Sequence, residues 1–139
     1  MKPNESLAHA FGSMSRLVER ELRSEFARFG VQPGQLPVLL SLYEHDGLTQ
    51  AELASSIGVE QPTMAATLGR MERQGLVARS PDADDGRRVD VHLTTSARQL
   101  ERPLTDAVRA VNRRALRGLS ADERTLLYGL ADRLHQNLD

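Results

Sequence analysis

Residues 85–94, Asp-Gly-Arg-Arg-Val-Asp-Val-His-Leu-Thr, constrain the fold of this chain more than any other stretch. A charged, glycine-containing segment runs directly into residues 89–93, where apolar and polar side chains alternate as they do in a half-buried strand. Residues 76–80 form a similar short stretch upstream, and the polar residues between the two are too many for a tight hairpin turn. The pattern therefore predicts a two-stranded ribbon whose extended tip carries Arg87 and Arg88.

A compact helix-turn-helix pattern lies immediately upstream of the ribbon. Thr49 and Glu52 have the spacing of a capping box, in which the threonine caps a helix start and the glutamate reaches back. Gly58 ends that short helix and allows a sharp turn. Pro62 then falls near the start of a helix predicted over 61–74, where its missing N–H costs little.

Long amphipathic helices are predicted on both sides of this central part. Residues 5–29 repeat apolar positions at three- and four-residue steps, and a second helix follows over 33–47. A weaker capping box at 96–99 predicts the start of a helix that carries apolar residues to Leu116. Another box at 120–123 opens a last helix. The predicted order is α-α-α-α-β-β-α-α, a mainly α fold of the α+β type.

The apolar stripes of the flanking helices indicate self-association. Residues 33–95 can form a small core of their own, whereas residues 1–32 and 96–139 are predicted to be a helical dimerisation region. Three such striped helices joined to a small domain would leave apolar surface in water. Pairing with a second copy, as a homodimer, is the simplest way to cover it.

Composition excludes several kinds of chemistry. The chain of 139 residues is 40% hydrophobic and 27% charged, has a net charge of −1 and contains no cysteine. Disulfides, thiolate metal ligands and cysteine nucleophiles are therefore absent. The four histidines show no close metal-ligand spacing, so we expect no metal. No apolar run approaches the roughly 20 residues of a membrane span, and the N-terminus lacks the order of a signal peptide. We expect a cytoplasmic protein with no membrane partner.

The helix over 61–74 has two unlike faces. Met64, Leu68 and Met71 lie on one side of a helical wheel, which predicts that this side is buried. The opposite side carries Pro62, Thr63, Ala66, Gly69, Arg70 and Arg73. Short side chains near base edges and arginines near phosphates suit a helix that enters the major groove of DNA. A solvated surface that happens to carry two arginines is the other interpretation.

The tip of the ribbon gives a second, independent indication of DNA binding. Arg87 and Arg88 stand where folding needs no cations, and a narrow minor groove concentrates the negative potential that attracts arginine. Asp85, two residues earlier, can pair with Arg87 and direct its guanidinium. The alternative is an exposed hairpin of mixed charge that has no partner.

The pattern Asp85-x-Arg87-x-x-x-Val91-x-Leu93-Thr94 resembles the wing motif of the MarR (multiple antibiotic resistance regulator) family of bacterial winged-helix transcription factors. The resemblance covers nearly the whole chain. It implies a winged helix-turn-helix DNA-binding domain over 33–95, with the flanking helices forming a homodimer that binds a pseudo-palindromic, double-stranded operator.

The resemblance also implies roles for individual residues. It places Arg87 in a minor groove with Asp85 orienting it, and it turns Thr63 and Ala66 towards base edges. The residues that it assigns to backbone phosphates are Thr49, Gln50 and Arg70. The full set of expected DNA contacts is Thr49, Gln50, Gln61, Pro62, Thr63, Ala66, Arg70, Arg73, Asp85, Arg87 and Arg88. The family often has a larger polar residue at the position of Ala66, so we expect sparse direct readout of bases.

The resemblance implies regulation as well. Similar proteins are commonly repressors that a small phenolic or other aromatic effector releases from DNA, through a cleft between the winged domain and the dimer helices. The candidates for lining such a cleft are His9, Phe11, Arg16 and Tyr43. Nothing in the sequence specifies the ligand.

Two other classes of function are alternatives to a regulator. An enzyme would need a catalytic triad, a phosphate loop or a carboxylate pair, and none stands in a convincing setting. We therefore expect neither enzymatic activity nor a cofactor. A winged-helix module that binds protein, or a DNA binder without an effector, is the remaining alternative.

Overall fold

The computed structural model describes residues 1–139 and contains seven α-helices and one two-stranded antiparallel sheet. In chain order the elements are α1 (Leu7–Phe26), α2 (Leu36–Glu44), α3 (Gln50–Ile57), α4 (Gln61–Arg73), β1 (Val77–Pro81), β2 (Val89–Leu93), α5 (Thr95–Gln99), α6 (Glu101–Ala115) and α7 (Ala121–Leu138). The mainly α architecture is confirmed, with one helix more than predicted. None of the helices combines the length and apolar character needed to cross a bilayer.

The first helix ends where the sequence predicts. The tail of α1 tightens into a 3-10 turn over Ala27–Phe29, and Gly30 then adopts a φ of 68°. Such a left-handed conformation is easy for glycine and ends a helix. A second 3-10 turn over Pro33–Gln35 leads into α2.

The cap of α3 forms only half of the predicted capping box. The Thr49 hydroxyl accepts a hydrogen bond from the Glu52 backbone N–H at 3.1 Å. The Glu52 carboxylate does not return a bond to the backbone of Thr49. Instead, it accepts a bond from Arg88 at 2.9 Å. The end of α3 at Gly58, with a φ of 81°, agrees with the prediction.

The predicted helix over 96–116 is wrong in two respects. Its start is capped by Thr94, whose hydroxyl accepts from the Ala97 N–H at 3.2 Å, so the expected cap at Ser96 lies inside α5. The helix is also interrupted at Leu100 and begins again as α6. The interruption places Pro103 in the first turn of α6, where it needs no N–H partner. In one continuous helix its ring would clash with the preceding turn.

The ribbon pairs in a register that runs from Val77 opposite Leu93 to Pro81 opposite Val89. The second strand agrees with the prediction, and the first is shifted by one residue. Val91 also exchanges backbone bonds with the α2–α3 connection: its N–H donates to the Leu48 carbonyl at 2.9 Å and its carbonyl accepts from the Gly47 N–H at 3.0 Å. The ribbon is therefore fixed to the helices by backbone as well as by side chains.

A single buried cluster of 19 hydrophobic residues holds the fold together. Its centre lies between α2, α3, α4 and the ribbon, and it includes Leu39, Leu68 and Met71. It continues into Phe26 of α1 and Leu104 of α6, so the buried core extends across the predicted domain boundaries near 33 and 95. No residue of α7 is buried.

Tyr43 ties α2 to α5. Its hydroxyl donates to the Ala97 carbonyl at 2.7 Å, and burial raises the pKa of the phenol to about 12. The group therefore stays protonated and able to donate throughout the neutral range.

The substitution Tyr43→Phe should lower the free energy of unfolding by about 1 kcal/mol, the usual net contribution of one hydrogen bond. Urea denaturation measures the change. Tyr128→Phe is the matched control, since Tyr128 is 54% exposed and its hydroxyl has no hydrogen bond within the chain. An equal change in both variants would remove the structural role assigned to the Tyr43 hydroxyl.

Candidate nucleic-acid interface

Helix α4 presents the two faces that its sequence predicts. Met64, Leu68 and Met71 are buried, with exposures of 2% or less. The residues exposed on the other side are Gln61, Pro62, Thr63, Ala66, Arg70 and Arg73. The side chains near the start of this surface are short, so the helix can approach another surface closely there.

The two arginines at the end of α4 are available to an anionic partner. Neither Arg70 nor Arg73 forms an ion pair with a carboxylate of the chain. The only side-chain hydrogen bond of Arg70 is a long one, 3.5 Å, to the hydroxyl of Thr67. Both guanidiniums are therefore suited to contacts with phosphates.

The loop between the strands is shaped by Asp82. One of its carboxylate oxygens accepts from the backbone N–H groups of Asp84 and Asp85, at 2.9 and 3.0 Å. These two bonds hold the pKa of Asp82 below its ordinary value. This role of Asp82 was not predicted from the sequence, although an aspartate that bonds to the backbone two and three residues later is a common turn former.

The predicted pairing of Asp85 with Arg87 is confirmed. The Arg87 Nε and Nη2 donate to the two carboxylate oxygens of Asp85 at 3.2 and 3.4 Å, and the Arg87 backbone N–H adds a bond of 3.1 Å. These bonds lower the pKa of Asp85, so the carboxylate stays ionised at neutral pH. The Arg87 side chain is 92% exposed, which leaves the directed guanidinium open to a partner.

Arg88, unlike Arg87, pairs with a residue outside the loop. Its Nη2 lies 2.9 Å from Oε1 of Glu52, which joins the loop to the start of α3. This contact was not predicted from the sequence, because the two residues lie 36 positions apart and neither sequence neighbourhood indicates the other.

Arg79 makes a second cross-link that the sequence did not reveal. Its guanidinium lies 2.8 Å from the Glu72 carboxylate and also donates to Gln50 Oε1 at 3.3 Å. One side chain therefore connects β1, α4 and α3. Gln50, an expected phosphate contact, is held by this link at the start of α3.

Thr49 is the least accessible of the expected DNA contacts. It is only 4% exposed, and its hydroxyl is engaged in capping α3. A backbone bridge to Asp90 of β2 covers it further. Little of the Thr49 side chain is therefore left for a partner, and its expected contact with a DNA backbone phosphate stays a prediction.

Asp90 lies under the loop with one carboxylate oxygen, Oδ1, buried and without a hydrogen-bond partner. Burial raises the pKa of Asp90, and the neighbouring Asp82 carboxyl raises it further. Attraction from His92 and Arg88 offsets only part of this. The ionised form of Asp90 therefore destabilises the folded ribbon.

The substitution Asp90→Asn should raise the melting temperature at neutral pH, because it removes a charge that the folded state disfavours. Because the folded-state pKa of Asp90 is raised, the wild-type protein is not destabilised by this charge below the ordinary pKa of 3.8. Stability is lost as the pH rises from that value through the folded-state pKa. The gain of the variant should therefore grow from acid to neutral pH in thermal denaturation. Asp84→Asn, at an exposed neighbour with a free side chain, is the control. A pH-independent gain would contradict this account of Asp90.

The candidates for an effector cleft are not brought together. Tyr43 packs in the core with its hydroxyl bonded to α5, while His9 and Arg16 are exposed on α1. Phe11 borders an open groove of about 550 Å³ between the start of α1 and the end of α7. The groove is lined by Leu7, Ala8, Phe11, Ala131, Leu134, His135 and Leu138.

Helices α3 and α4, joined by the turn at Gly58 and followed by the β1–β2 ribbon, define a winged helix-turn-helix protein, in which α4 is the recognition helix and the loop 82–88 is the wing. The sequence model of the MarR family matches residues 29–88, which span most of this unit. This match and the fold mark the winged helix-turn-helix part of the chain as that of a MarR-family, DNA-binding transcriptional regulator.

Solved structures agree with this assignment. A probable transcriptional regulator from Pseudomonas aeruginosa is 28% identical, with a TM-score of 0.86 over 96% of this chain and 99% of that one. Reduced AbfR bound to DNA shares the fold at 23% identity, with a TM-score of 0.78 over 95% and 91% of the two chains. PcaV from Streptomyces coelicolor, in complex with its natural ligand, shares it at 22% identity, with a TM-score of 0.87 over 100% and 98%.

Proposed function

We propose that the protein is a homodimeric repressor that binds a pseudo-palindromic duplex, with α4 in the major groove and Arg87 in the adjacent minor groove. The observation that carries this proposal is the Arg87 guanidinium, fully exposed at the wing tip yet directed by two bonds to Asp85. A cation held in this way serves no purpose in folding, but it suits the negative potential of a narrow minor groove.

The exposed face of α4 supports the same assignment. Thr63 and Ala66 stand on its outer side near the helix start, and Arg70 and Arg73 follow towards its end. Short side chains allow close approach to base edges, and unpaired arginines suit the flanking phosphates. Sequence readout would rest on few direct contacts, because Ala66 offers only a methyl group.

The dimer is supported by the apolar surface that one chain leaves in water. Helix α7 has 18 residues and no buried one, although Leu126, Leu127 and Leu130 are 43–60% exposed. Phe11 and Met14 of α1 are about half exposed as well. A helix without tertiary packing is marginal in water, so α7 needs a second surface to cover it.

We also propose that a small aromatic or phenolic effector releases the protein from DNA. PcaV, which shares the fold, has been solved with its natural ligand, so a protein of this shape can hold one. Among the residues considered for a cleft, Phe11 alone borders the open groove between α1 and α7. A second subunit on that face would change the shape of the groove, so an effector site belongs to the proposed dimer and not to the single chain.

The substitution Arg87→Ala should weaken duplex binding several-fold or more, because the minor-groove contact is lost. A duplex selected from a random pool by the wild-type protein serves as the probe in a gel-shift titration. Arg117→Ala is the control, since Arg117 is exposed between α6 and α7 and carries the same charge. Unchanged affinity of the Arg87 variant, or an equal loss in both, would contradict the assigned role of the wing.

The substitution Leu126→Glu should shift the protein from dimer to monomer in sedimentation velocity, because it places a charge in the proposed interface. Leu126 is 60% exposed in the single chain, so the fold of the subunit should survive. Gln136→Glu adds the same charge at another exposed position of α7 and should leave the dimer intact. A wild-type protein that sediments as a monomer at micromolar concentration would refute the proposed interface.

A further inference from the structure

The ion pair between Glu52 and Arg88 joins the wing to the helix-turn-helix. Glu52 is the third residue of α3, and its Oε1 lies 2.9 Å from Nη2 of Arg88. Both side chains are about half exposed, at 46% and 52%. The other side-chain bonds of the wing, those made by Asp82 and Asp85, stay within the loop. The Glu52–Arg88 pair is therefore the side-chain link between the wing loop and α3.

The carboxylate of Glu52 occupies guanidinium N–H donors of Arg88 that a phosphate would otherwise bind. Arginine donates two N–H groups to a phosphate in the same way as to a carboxylate. Glu52 also stands at the start of α3, close to Gln50, which we expect to meet the DNA backbone. A carboxylate in that place both neutralises a wing cation and repels the approaching phosphates.

In the structure, the Glu52 carboxylate makes no hydrogen bond within α3. The helix is capped by Thr49 alone, because the glutamate does not return the expected bond to the backbone. Its carboxylate is free of any other partner within the chain and is committed to Arg88. Exposed ion pairs of this kind are weak, so an incoming phosphate can replace it.

We propose that Glu52 acts as an intramolecular substitute for a DNA phosphate: it holds Arg88 in the free protein and must release it when the duplex binds. The contact is autoinhibitory, since part of the attraction between wing and DNA is spent on breaking it. This inference rests on the proposed function, because it assumes that the wing faces a duplex.

The test compares four single variants with the wild type in fluorescence anisotropy titrations of the selected duplex at several salt concentrations. Glu52→Gln should bind about two- to five-fold more tightly, the range expected for loss of an exposed pair. Its affinity should also fall more steeply with salt concentration, because the freed Arg88 would release about one additional counterion from the duplex. Glu52→Asp keeps the charge but shortens the reach to Arg88, and it should likewise bind more tightly than the wild type. Arg88→Gln should bind more weakly than the wild type.

Glu60→Gln is the matched control for charge. Glu60 is exposed at the start of α4 and forms no ion pair, so its neutralisation reports only the general effect of removing a negative charge near the duplex. Its salt dependence should stay that of the wild type. The double variant, Glu52→Gln with Arg88→Gln, is compared with Arg88→Gln alone. Its increase in duplex affinity over Arg88→Gln should be no larger than the increase of Glu60→Gln over the wild type.

Three results would overturn the inference while leaving the proposed function in place. They are weaker binding by Glu52→Gln, a gain equal to that of Glu60→Gln, and a gain that persists undiminished when Arg88 is replaced. Circular dichroism establishes that each variant remains folded. If the folded wild-type protein bound no duplex even in dilute salt, the proposed function itself would fail, and the inference with it.

Discussion

The attachment of β2 to the α2–α3 connection is the interaction on which the rest of the structure depends. Two backbone hydrogen bonds join Val91 to Gly47 and Leu48, so the α2–α3 connection pairs with the free side of β2. The Val91 side chain is fully buried. The wing and the helix-turn-helix therefore share backbone bonds and one buried core. Without this attachment, a two-stranded ribbon of five-residue strands would be only marginally stable in water.

The net charge of the chain does not reflect the local charge of the candidate interface. The chain carries a net charge of −1, yet the arginines of α4 are unpaired and Arg87 is almost completely exposed. Other arginines of the same surface are held by carboxylates: Arg79 by Glu72, and Arg88 by Glu52. Screening limits the reach of each charge to about 8–10 Å, so these local pairings decide what a duplex meets.

The sequence predicted those features that depend on near neighbours. Helix stripes, glycine ends and the Asp85–Arg87 pair need only a few residues of context, and they were confirmed. Contacts between distant residues could not be predicted in this way, since Glu52 and Arg88 become neighbours only once β2 lies against α3. The break at Leu100 could have been anticipated, because Pro103 cannot stand in a helix interior without a clash. The burial of Thr49 could not, since it depends on the ribbon that covers it.

The exposed apolar residues of α7 link the stability of this helix to the proposed association with a second chain. The helix begins with a complete capping box, in which Ser120 and Glu123 each bond to the backbone of the other, so its start is well defined without a partner. Its remaining length depends on apolar residues that one chain cannot bury. If the chain forms the proposed dimer, its stability should therefore rise with protein concentration. In the proposed dimer, the same apolar contacts would set the spacing of the two α4 helices. A molecule that inserts between α1 and α7 would then change the distance over which two wings can reach one duplex.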